Sequence, residues 1–270
     1  MNNMLLRIIV ALIAGPVILY LPFAGMNYFA SFIFLISFLG SKEIFNFYKS
    51  RHIHLNFISP YLVSFIPLAF LVNGFELAAE YALLISFVLF VLEIFRGRDR
   101  SSNIISGYAL MMIYCGFFPA MLIGILNSTV PMIFIFIYGI IIATDSFAYF
   151  GGMGCRKLFK THKLLERISP KKTIEGSVSG LIFGVLAGWL IYKYTDLSVL
   201  FTAEQAVYLS IIISVFGQIG DLFESMIKRD FGVKDSSNII PGHGGILDRF
   251  DSLIFISPAA YLFIKYLIIL

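Results

Sequence analysis

Between Gly217 and Ser252 an otherwise apolar chain carries five Asp, one Glu, Lys228, Arg229, Lys234 and Arg249, with a Pro-Gly-His-Gly-Gly turn among them. Asp221, Glu224, Ser225 and Lys228 fall at i, i+3, i+4 and i+7. On a helix that spacing lines two carboxylates, a hydroxyl and an ammonium along one stripe. Asp248 and Asp251 are three apart around Arg249 and share a face if that turn is helical. Two carboxylate pairs at the ends of facing helices suit a hard divalent cation. Mg²⁺ is held through one or two carboxylates, with substrate phosphates and water completing the set. The expected ligands are Asp221 and Asp248, with Asp251 a third and Glu224 and Asp145 supporting them. A structural salt-bridge network would explain the charge balance here, but not the gathering of so many acids beside membrane-like segments.

Further residues fit the same chemistry. Asp145 and Tyr149 are four apart near the end of an apolar run. A lipid-facing Asp there would cost roughly 2.5–3.5 kcal/mol, so it is expected to face a cavity. Gly151, Gly152 and Gly154 follow, offering either backbone N–H groups to a phosphate or a turn that ends the helix. Lys171 and Lys172, after Pro170 and before Thr173, Glu175 and Gly176, set two ammonium groups beside a helix start, a favourable place for an anion. Gly242, Gly244 and Gly245 around His243 free the backbone to lie against a phosphate. P-loop, hydrolase-elbow and zincin patterns are absent, and Cys115 and Cys155 stand singly, without a zinc or disulfide pattern.

These groups need elements to carry them, and composition says which. The 270 residues are 59% apolar and 13% charged, with a mean hydropathy of +0.90. Soluble domains run nearer 45–50% and about 25%. The expected fold class is an all-α integral membrane protein with nine spans, about 5–24, 27–47, 58–75, 79–95, 104–126, 130–151, 176–194, 206–228 and 251–270. The first apolar run is too long for a signal peptide and is read as a retained span. Residues 1–130 form a scaffold half and 131–270 a catalytic half with loops 152–175 and 229–250. Eighteen of the 20 Lys and Arg fall in the even-numbered loops, counting the N-terminus as zero. That places the N-terminus and the rich loops inside and the C-terminus outside. A pI near 9.0 therefore calls for no nucleic acid. Gly176, Gly180, Gly184 and Gly188 repeat every four residues and allow close approach of a helix from this chain or from a second copy, which leaves a homodimer open.

The polar pattern resembles a known family. Ser225-x-Ile-Lys228-Arg229, then Lys234-Asp235, then Pro241-x-His243-Gly244-Gly245-Ile-x-Asp248-Arg249-Phe-Asp251 is similar to the signature of phosphatidate cytidylyltransferases. Ser169-Pro170-Lys171-Lys172-Thr173-x-Glu175-Gly176 and Asp145-x-x-Ala-Tyr149 extend the likeness over roughly residues 145–251. The resemblance implies that CTP and phosphatidic acid from the bilayer give CDP-diacylglycerol and pyrophosphate, with Mg²⁺. It implies Asp221, Asp248, Lys228 and Arg249 as catalytic residues. Ser169, Lys171, Lys172, Thr173, Ser225, Arg229, His243, Gly244 and Tyr149 would bind substrate. It also implies a bacterial cytoplasmic membrane with the site at its cytoplasmic face. Two other readings stay open: a CTP-dependent polyprenol kinase, and a transporter using Asp145, Asp221 and Glu224 as ion-coupling acids.

Overall fold

Lipid offers the backbone no hydrogen-bonding partner, so long apolar runs must satisfy their own N–H and C=O groups as helices. The computed structural model describes residues 3–97, 101–158, 161–240, 242 and 244–268. Among these, seven helices are long and apolar enough to cross a membrane, at Met26–Ser50, Ile66–Arg96, Ser101–Asn127, Met132–Arg156, Ile174–Tyr194, Ala203–Phe231 and Leu247–Ile268. The chain is an integral membrane protein built almost wholly of helices. It divides into two units, Met1–Asn127 with Phe231–Arg249, and Ser128–Asp230 with Phe250–Leu270. The segment 231–249, which sequence reading placed in the second half, groups with the first unit.

The first unit holds α1 (Asn3–Ala24), α2 (Met26–Ser50), α3 (Ser59–Ser64), α4 (Ile66–Arg96), α5 (Ser101–Leu110) and α6 (Phe118–Asn127). A π-helical stretch, Met111–Phe117, joins α5 to α6 just before Pro119, whose ring nitrogen has no hydrogen to donate to the preceding turn. The seven long spans differ in number from the nine expected. Leu12–Ala24 counts as a shorter apolar helix, and α4 merges most of the third expected span with the fourth. Yet α4 is not straight, because Asn73 and Gly74 leave helical φ/ψ. Phe34 packs on Phe65 and Phe38 on Tyr61, so α3, which leads into the arm before the break, runs antiparallel to α2. Tyr48 meets Ser106, and Gly40 lies close to Cys115, so α2 is also antiparallel to the α5–α6 span. Phe75 meets Phe117, Ser86 meets Met112 and Glu93 meets Tyr108, which sets the second arm antiparallel to that same span. α3 and the second arm of α4 therefore run in opposite directions.

The second unit holds α7 (Met132–Leu158), strands β1 (Lys163–Leu165) and β2 (Ser169–Thr173), α8 (Ile174–Tyr194), most of α9 (Ala203–Phe231) and most of α10 (Leu247–Phe263). The two strands are a short hairpin within the otherwise helical fold. They pair antiparallel, Lys163 opposite Thr173 and Leu165 opposite Ser169, and are too short to show a period in sequence. The glycine stripe of α8 is used within the chain. A Cβ on Gly176 would lie 2.6 Å from the Ala148 carbonyl oxygen, and one on Gly180 2.7 Å from that of Thr144. Cβ atoms on Gly184 and Gly188 would collide with Ser214 and Ser210 of α9. Helix α7 also runs through Gly151 and Gly152 instead of ending there. Their missing Cβ atoms let it meet Ser179, Thr173 and Gly176, so these two glycines form a packing surface and not a phosphate loop.

Candidate active site

In the second unit the site begins where β2 turns into α8. Thr173 is extended and accepts the Gly176 N–H at 3.1 Å, the bond expected of a helix N-cap. His162 binds Glu175 through its backbone N–H at 3.0 Å and its ring Nδ1 at 2.9 Å, tying the hairpin to the first turn of α8. This places Lys172 two residues before α8, with its ammonium 2.7 Å from Asp221 of α9. Ser225 donates to the other oxygen of Asp221 at 3.3 Å. Helix α10 approaches α9 closely here. A Cβ on Gly220 would lie 3.0 Å from the Asp251 carbonyl oxygen, and Ser252 Oγ donates to the Gly217 carbonyl at 3.0 Å. Asp145, Asp221 and Asp251 thus lie within electrostatic reach of one another and of Lys172. Asp145 is solvent-accessible while set among many protein atoms; Asp221 and Asp251 are half-buried. From α8, Ser177 donates to Gln218 of α9 at 2.5 Å, one turn below Asp221.

In the first unit the segment 231–249 is held by two carboxylates. One oxygen of Asp248 accepts the Ser236 N–H at 2.8 Å, its hydroxyl at 2.9 Å and the Gly245 N–H at 2.8 Å. Gly244, at φ +88°, leaves no room for a Cβ, which would lie 2.7 Å from that same oxygen. The second carboxylate is Glu43 of α2, which takes hydrogen bonds from Ser237, Ile246 and Leu247.

A family model described as the cytidylyltransferase family matches residues 5–267, nearly the whole chain. The chain belongs to the cytidylyltransferase family. A phosphatidate cytidylyltransferase of Staphylococcus saprophyticus is 33% identical over 94% of this chain and 96% of its own. One of Bacillus subtilis is 32% identical over 97% of each. A chloroplastic one of Arabidopsis thaliana is 34% identical over 84% of this chain and 65% of its own.

In this cytidylyltransferase the residues picked out by sequence take different positions. Asp145, Asp221, Asp251, Lys172 and Ser225 gather as described. Glu224 and Lys228 form a largely buried ion pair at 2.5 Å, one turn apart on α9. Asp248 anchors the loop between Ser236 and Gly245. Hydrogen bonds of this kind also orient carboxylates that ligate metals. The two lysines separate: Lys172 meets Asp221, while Lys171 is exposed and its carbonyl accepts a bond from Arg156. Arg229 reaches the Ile168 carbonyl at 3.5 Å, at the hairpin turn beside Ser169. Tyr149 and Arg249 are exposed. His243 lies outside the described residues. Among the described residues no three of His, Cys, Asp and Glu close into a ready-made metal cage.

Sequence reading missed Glu43 and Gln218. Glu43 had one signal, an acid near the end of an apolar run.

Proposed function

We propose that this protein is a phosphatidate cytidylyltransferase that makes CDP-diacylglycerol from CTP and phosphatidic acid. The observation that carries the reading is the meeting of Lys172 with Asp221, inside a group of three aspartates at a helix start. An oxygen of the lipid phosphate attacks the α-phosphorus of CTP. A new P–O bond forms, the bond to the β-phosphate oxygen breaks, and pyrophosphate leaves with that electron pair. The nucleophile is already anionic, so no strong protein base is required. The difficulty is to bring two anions together in line. Lys172, and the N–H groups at the start of α8, supply positive potential for the phosphates.

The donor set fits Mg²⁺. Three hard carboxylates share one lysine, and Mg²⁺ takes only one or two protein carboxylates when substrate phosphates complete its shell. Asp221 and Asp251 would hold it, with Asp145 adjacent. Bound there, the metal would neutralise charge on the triphosphate and the leaving pyrophosphate. For Asp248 the metal assignment rests on the sequence pattern.

We read the chain as nine crossings with the N-terminus inside and the C-terminus outside, in a bacterial cytoplasmic membrane. The reversal at Asn73–Gly74 and the placing of eighteen of the 20 Lys and Arg in alternate loops support this count. The test is purified protein with CTP, Mg²⁺ and phosphatidic acid. One pyrophosphate per CDP-lipid is the expected product ratio; transfer of the γ-phosphoryl group to an added polyprenol with release of free CDP, or no nucleotide turnover, overturns the proposal.

A further inference from the structure

Glu43 has no place in the reaction just described, yet among the described residues it is the most completely enclosed acid of the first unit. It sits on α2 with a relative exposure of 0%. A buried carboxylate is costly unless its oxygens are hydrogen-bonded. Glu43 Oε1 accepts the Ser237 hydroxyl at 2.6 Å and the Ile246 N–H at 2.8 Å, and Oε2 accepts the Leu247 N–H at 2.9 Å. Ile246 and Leu247 stand at the start of α10, where N–H groups lack partners within the helix and the dipole favours negative charge. Such groups are commonly met by a side chain a few residues away. Here the acid comes from 203 and 204 positions earlier in the chain.

The fit is close. A Cβ on Gly245 would collide with both Glu43 and Ser236. Asp248 grips the same loop from within, through Ser236 and the Gly245 N–H. Two carboxylates therefore clasp residues 236–247, one belonging to the signature stretch and one to a helix outside it. The first turn of α10, which carries Asp248 and Arg249, takes its direction from the Glu43 contact.

We propose that Glu43 is a positioning residue of the transfer reaction, setting the entry of α10 and so the aim of Asp248 and Arg249. This rests on the cytidylyltransferase reading above. Glu43→Gln keeps the shape, but its amide group faces N–H and hydroxyl donors and loses at least one of the three bonds. The full-length variant and wild type are compared in nanodiscs by kinetics with CTP and phosphatidate and by hydrogen exchange at residues 245–247. We expect faster exchange at Ile246 and Leu247. We expect kcat to fall about tenfold to a hundredfold, the cost of slight misplacement, with KM for CTP unchanged. Glu43→Asp, which keeps the charge but withdraws it, should fall between the two.

Unchanged kcat in folded Glu43→Gln protein would overturn the proposal and leave a purely structural contact. Unchanged exchange at Ile246 and Leu247 would overturn it as well. If that variant does not fold, Ser237→Ala removes a single donor and leaves the carboxylate in place. A smaller loss of kcat with faster exchange supports the proposal, and wild-type kinetics overturn it. No turnover by the wild type counts against the functional reading, and the exchange rates then decide the clasp alone.

Discussion

At Asp221 the carboxylate already has a cationic partner, the Lys172 ammonium at 2.7 Å. Both side chains are partly exposed, at 38% and 27%. Pairs of that kind contribute at most about 1 kcal/mol to stability. Asp221→Asn should therefore leave thermal unfolding in detergent within about 1 kcal/mol of wild type. Its initial rate with CTP and phosphatidate should fall about a hundredfold or more, since charge on the phosphates would no longer be managed. Near-normal turnover would remove Asp221 from the site. Asp251→Asn should behave in the same way. Asp221 and Asp251 were legible in sequence because acids stand out in apolar surroundings, and their helical spacing says which share a face. Spacing could not decide how Glu224 would be used: the helical face that sets it three residues from Asp221 also sets it four residues from Lys228. Glu43 was missed because two of its three donors are backbone N–H groups, which leave no mark on the sequence.

At the scale of elements, the helices were legible because lipid leaves an apolar run few alternatives to a helix. The hairpin β1–β2 was not, since strands of three and five residues carry no usable period. The end of α7 was misplaced because glycine signals both a turn and a close helix contact, and only the facing helix decides between them. That contact is open to test. A side chain at Gly188 would collide with Ser210 and come within 2.9 Å of Ile140. Gly188→Leu should destabilise the protein by about 1–3 kcal/mol, seen as a lower unfolding midpoint and poorer recovery from the membrane. Gly154 of α7 has nothing within 4 Å of its missing Cβ, so Gly154→Ala should be tolerated in both yield and activity. Equal tolerance at the two positions would refute the packing account of the stripe.

For the whole molecule the parity of crossings is the main consequence of the break at Asn73–Gly74. With a reversal there, a reporter after Leu270 should read outside and one beside Lys163 inside. Three helices, α8, α9 and α10, separate the two fusions, so a continuous α4 would keep them on opposite sides but exchange them, and a third reporter at the N-terminus, expected inside, fixes the count. The contact between α7 and α8 has a different reach. Gly176 and Gly180 bring the second helix against the carbonyls of Ala148 and Thr144, backbone to backbone. At those two glycines α8 has no side chain to change rotamer. Helices adjust to a thinner or thicker bilayer by tilting, and these two must tilt together. Asp145 rides on one of them and Lys172 enters the other, so their spacing should survive a change of lipid chain length. With substrate held constant, turnover in short-chain and long-chain phosphatidylcholine should differ little. Gly180→Ala, if it folds, should make the enzyme sensitive to the thickness of its membrane.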